Sequence, residues 1–320
     1  MTLKHTINIT VANFNLLYKA FFYFLIIAII IGAIGCVAIA PTVNDIKASL
    51  DESGFSVSFK EVFEKLLDGD KAFLDSIKEA VSDFSLLKDA IGGLKTELIG
   101  GLFIIFAFVL VFLFLYRLCV LPFTNIINQY MLMGNSFNFM SNYIAQLKES
   151  AAYAAISTLI LTPITFGINF FCLYIAYLLV KNISIFGLPV AFIIWVLLSS
   201  LKSALFCGWL PSMVRDEKNV FKALQNGIKA IGKKYGRIFL CYCTSHIILF
   251  VACNLLVTFT FGAGLLFIVP LIMLFTKTLE LVIYYNLKNY HYYVDKNNVN
   301  TVSVYDEFKN VSDCPPEDQE

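Results

Sequence analysis

The chain is 320 residues long, 58% hydrophobic and only 15% charged, with a formal net charge of +1. Soluble domains are about 45–50% apolar and about 25% charged, so this composition excludes a soluble cytoplasmic enzyme and a disordered chain. No basic block dominates, which excludes a nucleic-acid-binding domain and leaves a polytopic membrane protein.

Crossing a hydrocarbon core about 30 Å thick takes about 20 mostly apolar residues as a helix. Six stretches qualify, at about 20–40, 98–121, 151–180, 184–210, 238–259 and 262–285. Lipid cannot satisfy open backbone groups, and the alternation of a transmembrane barrel is missing, so the fold class is all-α, a six-helix bundle. In chain order the organisation expected is an interfacial helix and first span over 1–40, an acidic helical loop domain over 41–97, five further spans over 98–285 and a tail over 286–320.

Ahead of the first span, Ile7, Val11, Phe14, Tyr18 and Phe21 recur at helical spacing, an amphipathic pattern suited to a membrane interface. Ala38-Ile-Ala40 resembles a cleavage site, but Pro41 follows it directly and the leading segment is long, so an uncleaved span is expected. Ala28, Gly32 and Cys36 give that span a small-residue face. In the loop over 41–97, Phe63, Leu66 and Leu67 share a helical face, as do Phe73, Ile77 and Val81, predicting a small helical cap that serves as a lid or a docking surface. The second and fourth spans end at Leu121-Pro122 and Leu210-Pro211, where proline is expected to break the helix. Amphipathic segments recur before the third span (Met140, Ile144, Leu147, Ala151) and before the fifth (Phe221, Leu224, Ile228, Ile231), the latter with Lys222, Lys229 and Lys233 off the stripe. A tight turn over Phe261-Gly-Ala-Gly264 separates the last two spans. The tail begins with Tyr290-His-Tyr-Tyr293, is expected to be mostly disordered from Asp295, and holds one candidate strand at Thr301–Tyr305.

Loop charge sets the orientation. Residues 41–97 carry seven Lys against twelve Asp and Glu, net −5, and residues 213–237 carry seven Lys and Arg against two acids, net +5. Positive loops stay in the cytoplasm, so the acidic loop is expected outside and both termini inside. Three segments align as Tyr18-Lys-Ala-Phe21, Tyr153-Ala-Ala-Ile156 and Tyr235-Gly-Arg-Ile238, which reads as a threefold repeat of interfacial helix and two spans. Seven cysteines fall in spans and Cys314 in the tail, so no disulfide framework is implied.

The segment Ala223-Leu-Gln-Asn-Gly-Ile-Lys-Ala-Ile-Gly-Lys-Lys-Tyr-Gly-Arg-Ile-Phe239, followed by a span and then Thr260-Phe-Gly-Ala-Gly-Leu-Leu-Phe-Ile-Val-Pro270, resembles bacterial six-span membrane families of unknown function. These include the membrane domain attached to some glycerophosphoryl diester phosphodiesterases. The likeness is strongest over 220–290. It implies a bacterial plasma-membrane protein and supplies no catalytic residues; the phosphodiesterase domain itself is missing here.

Ionisable groups inside spans cost at least about 2.5–3.5 kcal/mol each, so they need a reason. Arg117, Lys202, Lys277 and Glu280 are the candidate ligand-binding residues. The first three place a cation at similar depth in each even span, and Lys277 and Glu280 are spaced to pair on one helix face. They form either a polar vestibule for an anionic headgroup or solute, or a set of snorkelling cations with one intrahelical pair. His246 shares a face with Cys243, too few ligands for a metal site, and is expected to be packed or hydrogen-bonded. No phosphate loop, dinucleotide fingerprint, metalloprotease motif or nucleophile elbow occurs, so no catalytic residue, metal or cofactor is expected. The readings carried forward are a non-enzymatic scaffold, assembly or accessory component, and a small transporter, channel or anionic-lipid-binding protein. The partners expected are the bilayer, an anionic lipid at the four charges and a protein at the acidic cap.

Overall fold

The computed structural model describes residues 2–52, 95–134, 138–183, 187–216, 219–262, 264–294 and 299–300. Residues 53–94 of the cap predicted over 41–97, the candidate strand at Thr301–Tyr305 and Cys314 lie outside them. The described residues are almost wholly helical. They form α1 (Thr2–Ala12), α2 (Asn15–Glu52), α3 (Lys95–Met133), α4 (Phe139–Ala145), α5 (Leu147–Ile183), α6 (Gly187–Phe206), α7 (Trp209–Arg215), α8 (Val220–Ile231), α9 (Tyr235–Phe259) and α10 (Leu265–Lys288). A two-residue hairpin follows, β1 (Tyr292–Tyr293) antiparallel to β2 (Val299–Asn300). Among the described residues, six segments are long and apolar enough to cross a membrane: Asn15–Asn44, Ile99–Met133, Leu147–Asn182, Gly187–Arg215, Tyr235–Phe259 and Leu265–Lys288. The protein is therefore an all-α membrane protein, and a short helix precedes the first, third and fifth of its long segments.

The chain divides into two compact units, one of residues 26–112 and one of residues 1–25 with 113–320. In the first, α2 and α3 lie antiparallel. A Cβ on Gly35 would sit 4.0 Å from the Phe108 ring, and one on Gly101 would meet Thr42 Cγ2 at 2.8 Å. The two pairings run in opposite chain directions, as antiparallel helices require. The contact uses Gly35, whereas Gly32 has nothing near it and Cys36 is exposed. The small-residue face read from Ala28, Gly32 and Cys36 is thus left open among the described residues.

The second unit has a dense core where helices converge beyond their lipid-type surfaces. Phe123, Ile126, Ile127 and Met131 of α3 pack with Leu16 and Ala20 of α2, Trp209 and Leu210 of α7, and Met273, Leu281 and Tyr285 of α10. Along α10, Leu265 and Leu266 are exposed, but Met273 to Tyr285 is buried nearly all round. A helix apolar on every side is stable only when surrounded.

Pro122 does not end its helix. α3 runs through it to Met133, because burial of Phe123 to Met131 outweighs the one lost backbone bond. Pro211 likewise sits inside α7, in the first turn, where its missing N–H has no intrahelical partner to lose. The break falls earlier, at Cys207–Gly208, where the backbone of Gly208 meets that of Gly227 in α8. A Cβ on Gly227 would lie 2.5 Å from the Gly208 carbonyl carbon. Pro41 also lies within α2, so the first long helix continues to Glu52 rather than yielding to a loop.

Local chemistry sets the other ends. Asn219 Oδ1 accepts from the N–H groups of Phe221 and Lys222 and starts α8, and Asn138 Oδ1 accepts from Met140 N and starts α4. The turn between α9 and α10 falls where the glycines placed it, with Phe261 at φ 50° and Gly262 at φ 92°. Asn289, left-handed at φ 54°, ends α10. After α10, Tyr292–Tyr293 pairs antiparallel with Val299–Asn300. Tyr285 OH donates to Asn128 Oδ1 at 2.6 Å, Tyr292 OH donates to Asn286 Oδ1 at 3.1 Å, and His5 Nδ1 lies 2.8 Å from Tyr292 OH. Tyr284 and Tyr290 both donate to the Asp216 carboxylate, and the Arg215 guanidinium lies 5.2 Å from the Tyr290 ring centroid. These contacts tie α10 and the chain after it to α1, α3 and α7.

The short helices turn much of their apolar stripes outward. α1 buries Thr6, Ile9 and Thr10 and exposes Ile7 and Val11; Asn13 just after it is buried, and Phe14 and Tyr18 around the start of α2 are exposed. α4 exposes Met140 and Ile144, and α8 exposes Phe221 and Ile228 while burying Ala223 and Gly227. Of the third stripe, Ile231 turns inward. The three tyrosines aligned by the repeat have different surroundings, with Tyr18 exposed and Tyr153 buried.

Candidate functional site

The four ionisable residues singled out from sequence are brought together within the second unit. Lys277 and Glu280, three residues apart on α10, form an ion pair of 2.6 Å, with side chains only 15% and 14% exposed. Lys202 of α6 crosses to α5, where its Nζ donates to Thr165 Oγ1 at 3.1 Å. It lies within electrostatic reach of both Arg117 and Lys277. Arg117 of α3 is 9% exposed, and its Nη1 is buried without a hydrogen-bond partner among the described residues.

Aromatic and thiol groups wrap this cluster. Tyr116 and Tyr153 lie close enough to feel both Arg117 and Glu280, and Cys207 feels Glu280 and Lys277. Tyr116 is held by stacking on Phe24, centroids 5.5 Å apart, and Tyr153 packs edge-on against Trp209 at 5.4 Å. Trp209 is fixed in turn by its Nε1–H, which donates to Val220 O at 2.9 Å. The charges therefore sit in a framework set by α3, α5, α6, α7 and α10.

Three cations face one carboxylate, so the cluster carries a net +2 in a poorly solvated setting. Leaving a buried cation uncompensated is costly by several kcal/mol, and a guanidinium with free N–H groups is shaped to accept an oxyanion in two parallel hydrogen bonds. The arrangement is chemically an anion receptor. Sequence found its four charges through their cost in a span. It gave no signal for Thr165 or for the aromatic walls; Tyr153 stood out only as a repeat marker.

His246 is hydrogen-bonded. Its Nδ1 is 2.7 Å from Tyr242 O, so the proton resides there, and 3.2 Å from Ser200 Oγ. The Trp195 ring meets it edge-on with centroids 6.1 Å apart. The seven cysteines of the described residues are free thiols, and no group of three metal-ligating side chains occurs among those residues.

Beside the charges, a cleft of about 220 Å³ opens between α3, α5 and α7, lined by Leu121, Asn125, Gln146, Glu149, Met213 and Val214, with Ala145 at its edge. Asn125 and Gln129 donate to Asn142 Oδ1 on α4, and Asn142 returns a bond to Gln129 at 3.0 Å, which fixes this rim.

Comparison of the chain with protein-family profiles, with curated proteins and with solved structures finds no match.

Proposed function

We propose that the protein is a non-enzymatic membrane component that holds an anionic group, such as a phosphate, at Arg117, Lys202 and Lys277, with Glu280 as counter-charge. The observation that carries this reading is Arg117, nine-tenths buried with a free Nη1 beside two lysines and a single carboxylate. Snorkelling would carry these side chains to solvent; instead Lys202 bonds Thr165 and Lys277 bonds Glu280. The scaffold reading rests on the acidic loop over 41–97 and on the interfacial helices as contact surfaces, and the charge cluster takes precedence over it because its Arg117 Nη1 is buried with an unmet partner among the described residues. A transporter or channel would use the same cluster as its binding site.

The loop charges of −5 and +5 support an orientation with both termini cytoplasmic. In that setting the outward apolar residues of α1, α4 and α8 rest in the acyl border of the cytoplasmic leaflet, as interfacial helices do. The likeness of residues 220–290 to six-span bacterial families supports the same placement, and the short-helix order supports a threefold repeat.

The test is native mass spectrometry of protein released from nanodiscs of phosphatidylglycerol and phosphatidylcholine. Wild type is expected to retain phosphatidylglycerol, and the Lys202→Ala, Lys277→Ala double variant to retain about thirtyfold less, at roughly 1 kcal/mol per removed cation. Equal retention by both proteins overturns the reading.

A further inference from the structure

The charged cluster has a neighbouring level of opposite sign. On α3, Arg117, Leu121 and Asn125 follow at intervals of four and share a face; on α5, Glu149 and Tyr153 do the same. Arg117 and Tyr153 are within electrostatic reach of each other. Moving four residues along each helix, forward on α3 and backward on α5, leads from that level to Leu121 and Glu149, which line one cleft. The step is about 6 Å at 1.5 Å per residue. The Glu149 carboxylate makes no hydrogen bond or ion pair among the described residues. Asn125 spends an amide hydrogen on Asn142 Oδ1, which leaves its own carbonyl oxygen as an acceptor at the same level. Leu121, Met213 and Val214 give the cleft an apolar lining between these acceptors.

A simple anion entering here passes an unpaired carboxylate. A simple cation meets a net +2. A ligand carrying both charges about one helical turn apart satisfies each level, its short apolar linker lying along Leu121, the cleft residue one turn from Arg117. Resting on the anion-binding reading above, we propose that the site takes an aminoalkyl phosphate, its phosphate at Arg117 and Lys202 and its ammonium at Glu149 and the Asn125 carbonyl. Such a group occurs both as free phosphoethanolamine and as the headgroup of phosphatidylethanolamine.

The experiment is calorimetric titration of the full-length protein in detergent with phosphoethanolamine and, separately, with inorganic phosphate. Wild type is expected to bind phosphoethanolamine more tightly. Glu149→Gln is expected to weaken phosphoethanolamine about fivefold, the scale of a partly exposed ion pair, while leaving phosphate unchanged or slightly tighter. Glu149→Asp, which keeps the charge, is expected to retain most of the preference. Arg117→Gln is expected to weaken both probes. If Glu149→Gln alters both probes equally, or neither, the ammonium site is overturned while the Arg117 effect still upholds the anion site. If Arg117→Gln changes nothing, both readings fall. A second arm uses nanodiscs. Retention of phosphatidylethanolamine over phosphatidylglycerol, lost in Glu149→Gln, assigns the ligand to the lipid. Binding of soluble phosphoethanolamine without that retention assigns it to the free compound. Absence of both overturns the proposal.

Discussion

Single residues are most informative where burial and polarity conflict. Arg117 was legible because an arginine inside an apolar run has to be explained, yet only the folded chain shows that its Nη1 ends without a partner. His5 gave no signal in the sequence reading. It sits half-buried on α1 beside Tyr292, and burial, with the positive charge of Lys4, holds its imidazole below the usual value of 6.5. The unfolded chain then binds the proton more readily than the folded one, so the stability from this contact is complete above about pH 6.5 and is lost as the pH falls through the lower folded value. Hydrogen exchange of the α1 amides, corrected for intrinsic rates, is expected to accelerate between pH 7.5 and 5.5, and His5→Gln to remove that dependence. Equal pH response in wild type and variant would show that another group controls the docking. Tyr290 moves in the other direction, its phenol pushed up by burial and by the Asp216 carboxylate that it donates to.

At the scale of elements, the prolines and glycines divide the work differently from their usual sequence meaning. Pro122 and Pro211 read as stops, but a proline costs one backbone bond, and the packed residues that follow Pro122 recover more than that. The break before α7 belongs to Gly208, which meets Gly227 backbone to backbone. A methyl group at 227 has no soft side chain to push aside. Gly227→Ala is therefore expected to destabilise the protein by about 1–3 kcal/mol, the usual range for overpacking. Thermal unfolding in detergent measures it, and an unchanged midpoint would mean that α8 is not held at that distance. Gly236→Ala, where nothing lies within 4 Å, is the matched control.

Across the whole chain, the described surface is apolar in two distinct places. One is the set of long helices, as at Phe103, Leu159 and Phe259. The other is the outward side of the short helices, with Val11 at 66% and Ile144 at 68% exposure. An apolar stripe facing outward on three separate short helices fits a lipid border. Nitroxides placed at Val11, Ile144 and Ile228 are expected to show strong collision with oxygen, which partitions into lipid, and weak collision with a water-soluble nickel complex. Dominant collision with the nickel complex at all three would place these helices in water and remove the interfacial reading.

Sequence by itself determined the class and the six long segments, because apolar length and charge avoidance are properties of local composition. It also determined the Phe261–Gly264 turn and the spacing that pairs Lys277 with Glu280, since both depend on near neighbours in the chain. It drew the amphipathic stripes and read them as interfacial from their pattern; hydrophobic periodicity by itself marks a face without saying whether protein or lipid covers it. Only the tertiary structure decided that α1 turns Thr6 and Thr10 inward, that α3 passes through Pro122, and that Arg117 and Lys202 converge on the Lys277–Glu280 pair. Those outcomes depend on contacts between residues far apart in the chain, where burial against a distant helix outweighs local preference.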